Sequence, residues 1–322
     1  LELLMTVTTA VVLDKLLKRE YPWLKTIIMQ GGTLRQKYPE IISKTKQVFF
    51  HQIAAFVLFQ TSPLIIYTYA SLTLVAVYGN YMLIITGVTL LMDALLRSIN
   101  AGVGSLVAEG DKERIKKVFW ELTSLRLWLA SVVCFGIYKL GHSFIILWVG
   151  NDFLLEQSAF IVLIAITFIV LSRTNDTFLA AYGLFQDVWA PVTEAVLNLG
   201  LSILLGYYYG LTGILSGVLI SLLVIVCIWK PLFLYKCGFK ENIGEYVIRL
   251  FKYLALIAVS CISISWLGDC LFSNSFHSYG QWCLYAFKLL VLYTLFSLAL
   301  FLCLDKASRS YVIRFKLLLT KK

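Results

Sequence analysis

Two stretches of the chain contain no charged side chain, and each is longer than one helix needs to cross a bilayer. They cover residues 47–92 and 195–229. A bilayer core about 30 Å thick takes about 20 residues of α-helix. Lipid cannot hydrogen-bond to backbone N–H and C=O groups, so only helices or a closed barrel can cross it, and these runs lack the two-residue alternation of a barrel. The sequence therefore predicts a membrane protein built from helices.

The composition agrees with lipid as the main solvent. Of the 322 residues, 60% are hydrophobic and 14% are charged, and the mean hydropathy is +0.83, whereas soluble domains are about half apolar and a quarter charged. We expect an all-α, polytopic transmembrane helical bundle, with a truncated span at residues 1–13, one six-helix lobe and two extra helices. The full spans are expected near residues 50–70, 79–101, 126–148, 157–181, 188–208, 211–230, 250–269 and 284–304. Gly110 is expected to close one helix and Asp111 to cap the next.

The Lys and Arg residues alternate between successive loops, which predicts the orientation because cytoplasmic loops retain basic residues. The basic segments are 14–49, 97–126, 230–252 and 306–322, and the segments between the corresponding spans, near 71–78, 150–156, 207–211 and 269–283, contain no Lys or Arg. This arrangement puts 25 of the 28 basic residues on one side, and it predicts a cytoplasmic carboxy terminus that lies on anionic membrane lipids. Orientation also accounts for the net charge of +10, so we expect no nucleic-acid partner.

The seven cysteines and three histidines are scattered, with no C-x-x-C pair. We expect neither a metal site nor a cofactor. Cys270 and Cys283 could form a disulfide within one short outer loop, but scattered thiols in membrane helices are more often small packing residues.

Polar residues inside the spans are costly, so each requires a reason. Arg173 and Asp176 lie three residues apart in one span, and Glu194 and Asn198 begin a stripe at four-residue spacing in the next. One interpretation is a hydrated cavity, open to the cytoplasm, in which Arg173 binds an anionic headgroup while Glu194, Asn198 and Asp176 hold the substrate or exchange a cation. The alternative is structural: Arg173 pairs with Asp176, and small residues let the helices approach each other.

Asp93 and Arg97 form a second pair of intramembrane charges. They lie four residues apart with the acid first, which is the favoured order on a helix. The pair could couple transport to an ion or serve only as a structural ion pair.

These residues occur in segments that resemble the polysaccharide flippase family, the Wzx-like branch of the superfamily that also holds multidrug and toxic-compound exporters and the lipid II flippase. The order of the segments over residues 44–240 is the main likeness. The segments are residues 72–81 (LTLVAVYGNY), 104–113 (GSLVAEGDKE), 144–150 (FIILWVG) and 173–187 (RTNDTFLAAYGLFQD), followed by Pro191, Glu194, Asn198, Ser202 and Gly213.

The resemblance implies two six-helix lobes around a central cavity. Residues 1–49 would be the end of the first lobe and a cytoplasmic linker, 50–236 the second lobe, and 237–322 a two-helix extension with a basic tail. The chain would then be a fragment that needs an amino-terminal lobe from the same or a separate chain. Relatives often carry an Asp in the first helix of this lobe, where this chain has the run from Gln60 to Pro63.

The function implied by the resemblance is translocation, not enzyme catalysis. The substrate would be a polyprenyl-diphosphate-linked oligosaccharide, flipped across the bacterial plasma membrane by alternating access during capsule or lipopolysaccharide synthesis. A small-molecule or cation antiporter of the same superfamily is the first alternative, and it predicts a cavity rich in acids. The second is a membrane-embedded polysaccharide enzyme, which the short outer loops and the lack of a Gly-x-x-x-x-Gly-Lys nucleotide loop disfavour.

Overall fold

A computed structural model of the chain describes residues 2–23, 31–69, 71–271, 278–305 and 307–310. In these ranges all regular secondary structure is helical, which confirms the predicted all-α membrane bundle. The α-helices in chain order are α1 (Glu2–Glu20), α2 (Gly31–Lys37), α3 (Pro39–Gln60), α4 (Ser62–Tyr69), α5 (Leu72–Glu109), α6 (Lys112–Trp148), α7 (Gln157–Leu171), α8 (Thr174–Ala181), α9 (Trp189–Leu222), α10 (Lys230–Phe233), α11 (Gly244–Leu271) and α12 (Tyr279–Leu304).

The chain divides into two compact units, Leu1–Val48 and Phe49–Lys322. In the first unit, α1 is exposed over residues 5–20 and carries an ion pair between Lys18 and Asp14 at 2.7 Å. Residues 2–13 of the predicted truncated span lie in this helix, and residue 1 lies outside the described residues. The second unit contains the apolar helices and every residue discussed below.

Within the described residues, six helical stretches are long and apolar enough to cross a membrane, so the chain is a multi-pass membrane protein. They are Leu72–Leu96, Lys112–Trp148, Gln157–Ala181, Trp189–Phe239, Gly244–Leu271 and Tyr279–Leu304. The predicted span at 50–70 is instead divided between α3 and α4. Thr61 lies outside both helices, and Pro63 occupies the first turn of α4, where its missing N–H costs least.

The stretch Trp189–Phe239 contains two spans because the chain reverses at Gly210. This residue has φ 56° and ψ −136°, a conformation that favours glycine. The two arms pack tightly: the Ser202 hydroxyl donates to the Ile214 carbonyl at 2.9 Å, and a Cβ on Gly213 would lie 2.0 Å from a backbone oxygen of the facing arm. The reversal falls between the predicted spans at 188–208 and 211–230.

The turn between α5 and α6 has the predicted caps. Gly110 is left-handed with φ 79°, and the Asp111 carboxylate accepts from the Arg114 N–H at 3.1 Å. The two helices have 38 and 37 residues, so each is roughly 55 Å long at 1.5 Å per residue. Both are too long to lie wholly within the bilayer core.

Helix α6 is the centre of the second unit and packs against α5, α7, α8, α11 and α12. Its contacts with α11 and α12 include an ion pair and a hydrogen bond. Trp128 Nε1 donates to Ser297 Oγ at 3.0 Å, and Lys139 pairs with Asp269 at 2.9 Å. Lys139 is one of the three basic residues that the loop alternation did not assign, and the ion pair provides its structural role.

Candidate functional site

A cavity of about 1100 Å³ lies among α4, α5, α6, α7, α8 and the second arm of α9. On α5, the lining residues recur at intervals of three or four from Val75 to Asp93, so one face of that helix forms a wall. The polar and charged lining residues are Ser62, Tyr78, Thr86, Thr89, Asp93, Asn100, Arg126, Thr167, Arg173, Asp176 and Thr177.

The predicted span at 157–181 is not one continuous helix, because it breaks between α7 and α8. Arg173 has φ −69° and ψ 62°, and the Thr174 N–H donates to the Ser172 carbonyl at 2.7 Å, which is an inverse γ-turn. The Ser172 hydroxyl donates to the Ile169 carbonyl at 3.2 Å. Non-helical backbone at membrane depth is tolerated only where protein buries it or where it lines a cavity, and this break lies in the cavity wall.

Arg173 lies at the centre of the turn, with its side chain 20% exposed. Its Nη1 is 3.9 Å from an Asp176 oxygen, and its Nη2 is 3.8 Å from a Glu194 oxygen. Charge-assisted hydrogen bonds are usually about 2.7–2.9 Å long, so both contacts are loose. Among the described residues, Arg173 Nε and Nη2 have no hydrogen-bond partner.

Asp176 has a closer partner than Arg173. Lys230 Nζ lies 2.9 Å and 3.0 Å from the two oxygens of the Asp176 carboxylate. Lys230 directly follows a π-helical turn at Leu223–Trp229 and precedes Pro231. From the sequence, Lys230 was counted with the cytoplasmic basic residues, and Arg173 was suggested as the partner of Asp176. The structure corrects the second point, because Lys230 is the closer partner.

Glu194 and Asn198 lie on α9 behind the cavity wall and are not among its described lining residues. Glu194 is 7% exposed and reaches Arg173 from that side. Asn198 is 1% exposed, and its Oδ1 lies 3.2 Å from the Ser202 hydroxyl oxygen. The predicted stripe is therefore partly a packing seam between the arms of α9. The structure brings Glu194 to Arg173 and places Asn198 one turn farther along.

Asp93 lines the cavity from α5 and is exposed to it. The side chain of Arg97 lies outside the described part of the structure. The predicted pairing of Asp93 with Arg97 therefore stays a prediction.

Arg126 is the site residue that the sequence analysis missed. It was counted with the cytoplasmic basic segment 97–126, yet it is only 9% exposed and lines the cavity. Its Nη1 donates to the Arg173 carbonyl at 3.0 Å, and its Nη2 donates to Thr177 Oγ1 at 3.1 Å and to Asn100 Oδ1 at 3.2 Å. The available signal was its position in an apolar part of α6, nine residues beyond Lys117 in the preceding basic cluster.

The disulfide considered for the outer loop does not form in the described structure. Cys270 and Cys283 are exposed free cysteines, without a disulfide in the described structure. Within the same ranges, no group of three or more His, Cys, Asp or Glu residues could hold a metal ion.

Comparisons of the chain with models of protein families, with curated proteins and with solved structures found no match. The chemistry of the cavity therefore has to be interpreted from its own residues. Its described lining includes two carboxylates, Asp93 and Asp176, and two guanidinium groups, Arg126 and Arg173.

Proposed function

We propose that this chain takes part in moving a polyprenyl-diphosphate-linked oligosaccharide across the bacterial plasma membrane. The observation that carries the proposal is Arg173, which lies at a helix break in the cavity wall with two guanidinium nitrogens free of hydrogen bonds among the described residues. A planar guanidinium group matches phosphate oxygens with paired donors. A diphosphate headgroup would supply the acceptors that Arg173 lacks.

The neighbouring charges favour an anion as the missing partner. Lys230 already engages Asp176 at 2.9 Å, and Glu194 stays 3.8 Å from Arg173. Neither carboxylate therefore satisfies the guanidinium group at close range. A buried cation with incomplete partners is costly in a membrane, so a ligand that completes them gains binding energy.

The shape and polarity of the cavity suit a headgroup with sugars attached. Its volume of about 1100 Å³ is slightly above the usual range for single-ligand sites of about 300–1,000 Å³. Thr86, Thr89 and Asp93 share one face of α5 and offer hydrogen-bonding groups for hydroxyls. In alternating access, the lobe expected from the resemblance would provide the facing wall.

The composition of the cavity does not match the acid-rich lining expected of a cation antiporter. A cation antiporter would be expected to have an excess of acids, whereas the described lining has equal numbers of carboxylate and guanidinium groups.

Ligand binding to the full chain in lipid nanodiscs tests the proposal. The probes are farnesyl diphosphate, farnesyl monophosphate and farnesol, which share one chain and differ in charge. We expect the diphosphate to bind most tightly. Arg173→Gln should weaken it by about 10- to 100-fold, the value of one or two charge-assisted hydrogen bonds, and Arg173→Lys by less.

The matched control is Lys117→Gln, which removes an exposed charge from α6 outside the cavity lining. This variant should bind the diphosphate like the unaltered chain. Equal affinity for farnesol and farnesyl diphosphate, or an Arg173→Gln variant with unchanged affinity, would count against a diphosphate site. Displacement of a monovalent cation without any effect of the diphosphate would favour the antiporter instead.

A further inference from the structure

We propose that Arg126 is a positioning residue that holds the break between α7 and α8 in the form that presents Arg173 to the cavity. It acts on the ligand through Arg173. The role assigned to the ligand rests on the proposed function, whereas the control of the break does not.

Arg126 ties together three elements around the break. From α6, its Nη1 binds the Arg173 carbonyl at the centre of the γ-turn, at 3.0 Å. Its Nη2 binds Asn100 on α5 at 3.2 Å and Thr177 on α8 at 3.1 Å. The Thr177 hydroxyl in turn donates to Asn100 Oδ1 at 3.2 Å, which closes the network. One guanidinium group thus fixes α5 and α8 relative to the turn.

The break needs such support because the local sequence does not impose it. Neither proline nor glycine occurs between Leu171 and Ala181. Sharp breaks in helices otherwise arise where a side chain inserts into the backbone ladder, and the Arg126 contact with the Arg173 carbonyl is of that kind. Without it, Arg173 could rotate from ψ 62° toward the helical value of about −42°, which restores backbone hydrogen bonds in lipid and redirects its side chain.

The alternative role for Arg126 is direct contact with the ligand. It lines the cavity, and its Nε has no hydrogen-bond partner among the described residues. The two roles differ in how changes at Arg126 and Arg173 combine. A residue that acts through Arg173 loses its effect when Arg173 is absent, whereas an independent contact keeps it.

Thiol labelling from the cavity measures the break without a ligand. Ala180→Cys on α8 is the reporter and Val170→Cys on α7 is its control, since both positions line the cavity. Peptide mass spectrometry separates these thiols from the native cysteines. In an Arg126→Gln background, we expect the maleimide labelling rate at position 180 to change by about tenfold, because charge-assisted bonds are lost, and the rate at position 170 to stay the same.

Milder variants keep this test valid if Arg126→Gln does not accumulate. Thr177→Val removes one acceptor and should change the labelling rate at position 180 in the same direction as Arg126→Gln, but by less. Arg126→Lys can reach only part of the network, so it should also change the labelling rate at position 180 by less than Arg126→Gln does. Lys117→Gln should leave both rates unchanged. Unchanged labelling at position 180 in all three network variants would overturn the proposal, as would an equal shift at both reporters with a lowered melting temperature.

Binding of farnesyl diphosphate then separates positioning from direct contact. Arg126→Gln should weaken binding, while the double variant Arg126→Gln with Arg173→Gln should bind no more weakly than Arg173→Gln alone. Additive losses would overturn the positioning role. A different outcome is a changed labelling rate at position 180 in a chain that shows no affinity for farnesyl diphosphate. That result would support the role of Arg126 in holding the break and would refute the proposed function.

Discussion

Replacing Lys230 by Met should destabilise the protein, and replacing Asp176 by Asn in the same chain should restore most of the loss. Lys230 Nζ lies 2.9 Å from the Asp176 carboxylate, and the two side chains are 16% and 32% exposed. Breaking a well-buried pair costs about 3–5 kcal/mol, whereas replacing both partners is often close to neutral. Arg173 remains 3.9 Å from Asp176, so the carboxylate is not left alone.

The remaining contact and the partial exposure place the cost of Lys230→Met at about 2–3 kcal/mol. At roughly 2 °C per kcal/mol for a chain of this size, the melting temperature should fall by about 4–6 °C. The double variant Lys230→Met with Asp176→Asn should stay within about 1 kcal/mol of the unaltered protein. By contrast, Arg173→Gln with Asp176→Asn leaves Lys230 without its partner and should remain destabilised by roughly 2 kcal/mol.

Tryptophan fluorescence during thermal unfolding in nanodiscs measures these differences, and Lys117→Met provides an exposed-lysine control on α6. Recovery of the melting temperature by the Arg173 and Asp176 double variant, but not by the Lys230 and Asp176 double variant, would refute the assignment of Lys230 as the main partner. It would instead support Arg173 as the main partner of Asp176, as their three-residue spacing suggested.

Four further measurements test the fold and the topology. Gly213→Ala should abolish accumulation of folded protein because its Cβ would lie 2.0 Å from a backbone oxygen, whereas Gly200→Ala, with open space around it, should melt normally. Phe119→Ala should cost about 3–5 kcal/mol because the ring is fully buried, and a melting curve within about 1 °C of the unaltered protein would contradict that packing. An impermeant maleimide applied to intact cells should label Cys270 and not Cys237, and the reverse result would invert the predicted orientation. If the proposed function is right, the chain alone should fail to restore surface polysaccharide in a flippase-deficient strain, because the expected amino-terminal lobe would supply the facing wall of the cavity, and restored polysaccharide would refute that expectation.

Local sequence was sufficient for the helical class and for the turn between α5 and α6. The charge-free run at 195–229 requires helices in lipid, and Gly110 and Asp111 have the conformations and hydrogen bonds that their residue types favour. Local sequence was insufficient for the span 157–181, where the helix breaks although the span contains neither proline nor glycine. That break depends on a side chain from another helix, so no pattern within the span indicates it.

The same limit applies to the candidate site. Spacing along one helix suggested Asp176 as the partner of Arg173, because residues three apart share a face. The closer partner, Lys230, is 54 residues away in the sequence, and Arg126 reaches the Arg173 carbonyl across 47 residues. The sequence by itself determined that the chain must be helical in lipid and which charges are costly there, because these follow from the solvation of each residue. Only the tertiary structure decided which charges meet, because ion pairs depend on distances between helices that are far apart in the chain.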